Sequence, residues 1–287
     1  NNSLNSSDFQ SLLALFDDVL IEIKYPSEAF DDVYHEIVNL KSPKIRISVF
    51  IYGVDKTDDK FKDDKNVQSF KFDPLVTTIS DSSFSGCSSL TEMKIPSTIT
   101  QINNNVFNEC VKLVKVTIPS SVTSIGDNVF SGCMNLTEIS IPDSVTSIGN
   151  NAFKGCSKLA TITVPKTVTR IGEGCFKECT SLEQFEIPSS LTSVASNTFS
   201  KCVKLSTITI HHSIRSIGTS AFEGCTSLEA VNFEDESTLK SIEASAFKSC
   251  SSLVQISIPS SVISIGSSSF YGCLSLEKVN LSDESLL

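Results

Sequence analysis

Several features that define common protein classes are missing from this chain. No stretch of about 18 uninterrupted apolar residues occurs, so no helix is expected to span a membrane. Lys and Arg number 23 against 33 Asp and Glu, a formal net charge of −10, and such an acidic chain repels nucleic-acid phosphates. Asn1 to Ser7 lack the basic and apolar regions of a signal peptide. We therefore predict neither a membrane span nor a nucleic-acid partner.

The residue patterns of common enzymes are missing as well. The chain has no G-x-S-x-G nucleophile elbow and no cysteine in phase with a histidine. Its 12 glycines stand singly and do not form a loop that would cradle a phosphate. We therefore predict a protein that is not an enzyme and that carries no cofactor.

What the chain does contain is an internal repeat. Nine of its 10 cysteines recur at a step of 23 residues, with one step of 25, and each stands three residues after a phenylalanine and three before a leucine. These cysteines are Cys87, Cys110, Cys133, Cys156, Cys179, Cys202, Cys225, Cys250 and Cys273. Such regular spacing indicates a structural repeat and not a disulfide framework.

Each repeat can be read as a structural unit. A clean copy, Leu136 to Lys158, reads LTEISIPDSVTSIGNNAFKGCSK, and we number its leucine as position one. Positions three to six alternate polar and apolar residues, which predicts a short strand that the proline at position seven ends. The V-x-x-I stretch predicts a second extended side, and the glycine at position 14 is expected to turn the chain with a positive φ.

One unit cannot bury its own apolar face, but a stack of units can. Stacking turns each position into a column, so the phenylalanines predict an aromatic spine and the cysteines a row of reduced, buried thiols. Neighbouring rungs would lie about 4.8 Å apart, but side-by-side identical residues seldom have the torsion that a disulfide needs. Cys175 is an extra cysteine at a position where other units have Ala or Val.

The repeats are expected to cover residues 67–287. The first full unit begins at Val67, and the last, from Leu276, stops soon after its strand. We predict a curved, right-handed rod or horseshoe with a parallel sheet and about nine repeats. No polar end cap follows Leu281, so another chain, or a second copy of this one, could cover that end.

Residues 1–66 lack the repeat. Their pattern predicts an apolar run at 9–16, a strand at 19–24, a helix at 27–40 capped by Ser27, and a strand at 45–52. Ile47 and Val49 stand one period before Phe70 and Phe72, so the last of these strands is expected to be the first rung of the repeat sheet. The charged run 55–66 is expected to be a mobile loop. Two interpretations stay open, a small α/β cap on the solenoid or a small separate domain.

The repeat resembles the BspA-like leucine-rich-repeat family. The string I-P-x-x-V-x-x-I-G-x-x-A-F-x-x-C carries the resemblance, and the segment SVTSIG occurs at 121–126 and again at 144–149. The resemblance covers roughly residues 67–287. It implies a leucine-rich-repeat solenoid, often a surface or secreted protein of bacteria or protozoa, that attaches to host matrix or to other cells by protein contacts.

A leucine-rich repeat presents its strand residues on a concave face, here positions three, five and seven. Columns three and five hold small, polar and lightly charged residues without an aromatic side chain. Tight protein sites usually contain aromatic or Arg anchors, so the face is either a weak multivalent binder or only the solvated side of a sheet. The charged candidates for binding are Glu92, Lys94, Lys115, Glu138 and Glu186.

Position seven is proline in most units but is His211 and Glu234 in two consecutive ones. His212 and Asp235 follow them, and the one change of repeat length falls here. Residues 23 positions apart are expected to stack in neighbouring repeats, so we expect His211 to lie beside Glu234. One interpretation is a pH-sensitive ligand or divalent-metal site. The other, which we favour, is a tolerated irregularity in a surface loop, with no metal.

Two functional hypotheses follow. The first is an adhesin-like protein at the cell surface or secreted, which binds host matrix or another protein. The second is an intracellular, cytoplasmic scaffold or assembly subunit, which the free thiols favour because oxidising compartments disfavour unpaired cysteines.

Overall fold

The computed structural model describes residues 19–25, 30–39, 45–51 and 57–281. They form a parallel β-solenoid of about 11 turns with almost no helix, which confirms the predicted architecture and adds turns to the nine expected. The apolar run at 9–16 and the capping residue Ser27 lie outside the described residues. Within the described residues, no helix is long and apolar enough to cross a membrane.

The N-terminal part is a three-stranded parallel sheet with one helix. Its elements are β1 (Val19–Tyr25), α1 (Phe30–Asn39), β2 (Ile45–Ile51) and β3 (Val67–Phe72), and the strand order is β1-β2-β3. Ile37 and Val38 of α1 pack, partly buried, against the core. The Tyr34 hydroxyl of the same helix donates a hydrogen bond to the Asp64 carboxylate.

The register of β2 differs from the prediction. Val49 pairs with Phe70 and Ile51 with Phe72, whereas we expected Ile47 and Val49 in those places. A register shift between Ile47 and Ser48 accompanies the change. The strand itself was predicted correctly, but β2 pairs with β3 at an offset of 21 residues, as in Val49 with Phe70, and not of 23.

Two series of short strands form two faces of the solenoid. The first series, which we call the strand face, occupies positions three to six: β4 (Glu92–Lys94), β6 (Lys115–Thr117), β8 (Glu138–Ser140), β12 (Thr207–Ile210), β14 (Ala230–Phe233), β16 (Gln255–Ile258) and β18 (Lys278–Leu281). The other series, which we call the second face, occupies positions 12 and 13: β5 (Gln101–Ile102), β7 (Ser124–Ile125), β9 (Ser147–Ile148), β10 (Arg170–Ile171), β11 (Ser193–Val194), β13 (Ser216–Ile217), β15 (Ser241–Ile242) and β17 (Ser264–Ile265). All described strand pairs are parallel.

Strands are missing where the repeat predicts them at 161–163 and 184–186. These gaps separate β8 from β12, and β14 and β16 are also not paired with each other, so the strand face consists of the sheets β4-β6-β8, β12-β14 and β16-β18. The sequence alternates polar and apolar residues in both segments, so alternation alone did not predict which rungs form a ladder.

The phenylalanine spine forms as predicted and is longer than predicted. Its rings run from Phe61 to Phe270 with neighbouring centroids 5.2 to 6.2 Å apart. Phe61 is 2% exposed, and the Asp63 amide donates to the Ser85 carbonyl at 2.6 Å. The expectation of a mobile loop at 55–66 was therefore wrong for residues 57–66. Phe61 lies one period of 23 residues before Phe84, which was the signal for this extra rung.

All 10 cysteines lie in described residues and are free; nine are buried, and Cys273 is partly buried. Each thiol of the cysteine column donates to the carbonyl of the phenylalanine in the preceding rung, as Cys133 does to Phe107 at 3.2 Å and Cys156 to Phe130 at 3.2 Å. Burial raises the pKa of the Cys133 thiol well above its ordinary value. The column thus supplies weak donors to buried carbonyls that would otherwise lack a second partner.

The role expected for the glycine at position 14 was wrong. Gly149 has no positive φ; the left-handed residues are at positions 16 and 20, as in Asn151 (φ 52°) and Gly155 (φ 72°). A Cβ on Gly149 would instead lie 2.5 Å from the backbone carbonyl carbon of Gly126 in the preceding rung. The glycine is needed because two backbones approach each other closely there.

Candidate functional site

The strand face presents the predicted charged residues to solvent. Glu92, Lys115 and Glu138 pair across β4, β6 and β8 at position three, and all three side chains are exposed. The Lys115 ammonium lies 2.7 Å from the Glu138 carboxylate, and this hydrogen bond raises the pKa of Lys115. An exposed pair of this kind adds little to stability, so its contribution is to the charge pattern of the face.

Three shallow depressions lie on the strand face. The first, of about 420 Å³, is lined by Lys115, Glu138 and the hydroxyls of Thr161 and Thr163. A second depression, of about 440 Å³, brings Glu186 and His211 together, with Gln184, Thr207 and Thr209. The third, of about 360 Å³, includes Phe233, Val254 and Asn232. Glu92 and Lys94 are exposed on the same face but line none of these three.

Some lining residues were not among the predicted candidates. Hydroxyl residues are frequent in the first depression, and Thr207 and Thr209 line the second. Such small residues form no motif that would mark them in the sequence. Phe233 replaces the usual Ile or Val at position six, and Val254 is 46% exposed at position two. Phe233 was the available signal for the third depression, because Val114 also places a valine at position two of another unit.

The two histidines and Glu234 form a clasp between adjacent rungs. His211 Nδ1 lies 2.7 Å from Glu234 Oε1, which confirms the predicted proximity, and His212 Nδ1 lies 3.0 Å from Glu234 Oε2. The His212 backbone amide donates to the same Oε2 at 3.1 Å. The hydrogen bond from this amide, and to a lesser degree the bond with the His212 side chain, holds the pKa of Glu234 below its ordinary value.

The clasp lies beside the two extra residues of the 25-residue repeat. The Thr238 hydroxyl and amide both donate to the His212 carbonyl, at 2.6 and 3.2 Å. Asp235 is exposed and, within the described residues, makes no hydrogen bond or ion pair. No group of three or more His, Cys, Asp or Glu in the described part of the chain is placed to hold a metal ion. The geometry therefore fits a structural tie across the insertion better than a metal centre.

Comparison with known proteins identifies the repeat. A family model described as BspA type leucine rich repeat region, in 6 copies, matches residues 57–183 and 169–286. The chain therefore belongs to the BspA-type leucine-rich-repeat family. Among curated proteins, none matches the chain.

Solved bacterial structures resemble the chain. A leucine-rich repeat protein from Bacteroides ovatus is 33% identical with a TM-score of 0.62, over 73% of this chain and 65% of its own. The Treponema pallidum leucine rich repeat protein TpLRR is 27% identical with a TM-score of 0.51, over 64% of this chain and 77% of its own. The pneumococcal vaccine antigen PcpA, 20% identical over 92% of this chain and 66% of its own with a TM-score of 0.59, shares the fold alone.

This chain thus spans about 65% of the length of the Bacteroides relative. Leucine-rich-repeat proteins are typically non-enzymatic protein-interaction modules, and nothing in the described residues indicates catalysis.

Proposed function

We propose that the chain is a protein-binding module that uses its strand face. The observation that carries this proposal is the exposure of positions three and five along a face that also holds three open depressions. From Glu92 to Asn280, all residues at these positions are exposed except the partly buried Ala230 and Asn280. The proposed contact residues are Glu92, Lys94, Lys115, Glu138, Glu186, His211, His212, Glu234 and Asp235, joined by the threonines of the first two depressions.

The chemistry of the face favours a broad, polar protein surface as partner. Charges alternate along Glu92, Lys115 and Glu138, and hydroxyls fill the stretch that follows. Large aromatic or Arg anchors, which concentrate binding energy, are scarce there. We therefore expect weak individual contacts that gain strength when many copies bind together. A partner of this kind is host matrix or the surface of another cell, reached by a secreted or cell-surface protein.

Binding of the purified chain to immobilised extracellular matrix proteins, measured by surface plasmon resonance, tests this proposal. Thr163→Arg and Thr207→Arg place a bulky charge in the first and second depressions. Each should weaken binding by roughly tenfold if it lies at the contact. Thr146→Arg is the matched control, because Thr146 is also exposed but lies next to the second face. Equal loss in all three variants, or no binding to any matrix protein, would contradict the proposal.

An intracellular scaffold is the second candidate, favoured by the free state of all 10 cysteines. Oxidising compartments disfavour unpaired thiols. Burial weakens this objection to a secreted protein, since the pKa of Cys156 is raised well above its ordinary value and a buried thiol reacts slowly. We therefore place the surface or secreted location first and the cytoplasm second.

We also propose that the segment before the repeats caps the solenoid. Pairing of β2 with β3 and the hydrogen bond from Tyr34 to Asp64 support this over a separate domain. At the other end, Leu274 is 86% exposed and Leu281 is 52% exposed, and a second copy of the chain could cover them. Sedimentation velocity over a concentration series would show a dimer if it does.

A further inference from the structure

The junction between repeats 159–181 and 182–204 lacks backbone hydrogen bonds that the junctions on either side of it have. On the second face, the amide at position 11 donates to the preceding rung, as Arg215 does to the Thr192 carbonyl at 2.8 Å. The amide at position 14 does the same, as Gly218 does to the Val194 carbonyl at 2.8 Å. Thr192 and Ala195, which hold these positions one rung earlier, have no such bond within the described chain. As a result β10 and β11 belong to separate sheets.

The junction between repeats 67–89 and 90–112 lacks the same two backbone bonds within the described chain. There, however, the Asn103 side-chain amide donates to the Ile79 carbonyl at 2.7 Å, and the Asn104 backbone amide donates to the Asp81 carboxylate at 2.9 Å.

The strand face is also open at the junction between repeats 159–181 and 182–204. In the described chain, segments 161–164 and 184–187 make no backbone hydrogen bond to each other or to the strands beside them. On the strand face, the entry to the rung is bonded by the Glu183 amide, which donates to the Ala160 carbonyl at 3.1 Å. Between the strand face and the second face, the Ser190 hydroxyl donates to the Val168 carbonyl of the preceding rung. Two of the faces that hold neighbouring repeats together are therefore largely unbonded here.

The phenylalanine turn keeps its complete ladder across this junction. The amides of Gly174, Phe176 and Glu178 donate to the carbonyls of residues 196, 198 and 200, at 2.9, 2.9 and 2.8 Å. The Phe176 and Phe199 rings stack with centroids 5.7 Å apart. The bonded turn lies away from the two open faces, so it can act as the axis of an opening motion.

Two residues that depart from the repeat meet at this junction. Ala195 occupies position 14, where a Cβ on Gly172 or Gly218 would come within 2.5 or 2.6 Å of a backbone nitrogen in the preceding rung. Phe185 occupies position four, where the first unit has Phe70 and the others have Met, Ile or Val, and its ring lies 4.9 Å from the ring of Phe176 and 4.8 Å from that of Phe199. Both changes add volume between the same two rungs.

A Cβ at position 14 does not open a junction by itself. Glu243 holds this position in the 25-residue repeat, and its amide still donates to the Ile217 carbonyl at 2.9 Å. Ala195 differs because Phe185 adds bulk to the same junction. A narrow apolar crevice of about 10 Å³ is found there, and Ile171, Phe185, Val194 and Phe199 contribute to its lining.

We propose that this junction is a seam at which the solenoid opens reversibly, so that residues up to 181 and residues from 182 move as two blocks. In a stack of repeats, stability is carried by nearest-neighbour interfaces, and the interface with the fewest bonds opens first. The first depression, which includes Thr163, and the second, which includes Gln184, lie on opposite sides of the seam. Opening would change their relative orientation, and it requires no ligand.

Amide hydrogen exchange, followed by NMR at single residues in the whole chain, tests the seam. After correction for intrinsic rates, Thr192 and Ala195 should exchange faster than Arg215 and Gly218. Two missing ladder bonds predict a difference on the order of 50-fold. Protection of Thr192 and Ala195 equal to that of Arg215 and Gly218 would overturn the proposal.

Reciprocal variants test the cause. Ala195→Gly, Phe185→Ile and the double variant should slow exchange at Thr192 and at position 195, with the largest effect in the double variant. Gly218→Ala combined with Ile208→Phe recreates both changes one rung later and should speed exchange at Arg215, because the pair adds a ring and a Cβ 2.6 Å from the Ser196 nitrogen. If neither single variant nor the double variant slows exchange, the seam is not produced by these two side chains and the inference fails.

Discussion

The phenylalanine spine allows a direct test of the packing. Phe153 is fully buried at mid-spine, with ring centroids 5.3 Å from Phe130 and 5.5 Å from Phe176. Replacing it with alanine removes the ring from a close-packed column that is held on both sides by backbone ladders, so the cavity cannot collapse. Phe153→Ala should therefore lower the free energy of unfolding by about 3–5 kcal/mol.

Urea unfolding followed by far-ultraviolet circular dichroism measures this loss, and the absence of tryptophan makes that probe preferable to fluorescence. Phe153→Leu keeps most of the volume and should cost about 1 kcal/mol. Thr163→Ala, on the exposed strand face, is the control and should change stability by less than about 0.5 kcal/mol. Similar losses for Phe153→Ala and Thr163→Ala would refute the assignment of the two columns to core and surface.

The remaining predictions concern thiols and acid stability. Burial raises the pKa of buried thiols such as Cys133, so a thiol reagent at neutral pH should label the half-buried Cys273 first. All 10 cysteines together should react only in denaturant. Rapid labelling of several thiols in the native protein would contradict the assignment of the cysteine column to the core. Because His212 lowers the pKa of Glu234, this carboxylate stabilises the fold above its ordinary pKa of 4.5, and that contribution is lost as the pH falls through the lowered value. The urea midpoint of Glu234→Gln should therefore fall less than that of the wild type between about pH 5 and pH 3; an identical fall would show that the clasp contributes nothing.

Much of the fold could be predicted because equivalent residues of the different repeats have the same surroundings. Phe, Cys and Leu at fixed spacing indicate columns that are buried between stacked repeats, since a single repeat cannot bury these side chains alone. Proximity of His211 and Glu234 followed from the same register. Phe61 also fits the 23-residue period, but it stands among charged residues that suggested a loop, so this additional rung was not predicted.

Other features depend on contacts between rungs, which a single repeat does not reveal. The glycine at position 14 is required by the backbone of the preceding rung and not by its own φ. Segments 161–163 and 184–186 alternate like their neighbours, so the pattern of one repeat does not show that both lack backbone hydrogen bonds to the rungs on either side. In our proposal, the bulk of Phe185 and Ala195 accounts only for the junction between these two segments. Depressions on the strand face likewise arise from several rungs together, so small hydroxyl residues carry no individual signal.

The measurement that tests the proposed function most directly is protease treatment of intact source cells followed by detection of this protein. The proposal of a surface-exposed binding module predicts that the signal is lost while a cytoplasmic control protein is retained. Full protection in intact cells, with cleavage only after lysis, would contradict a surface location and favour the intracellular scaffold.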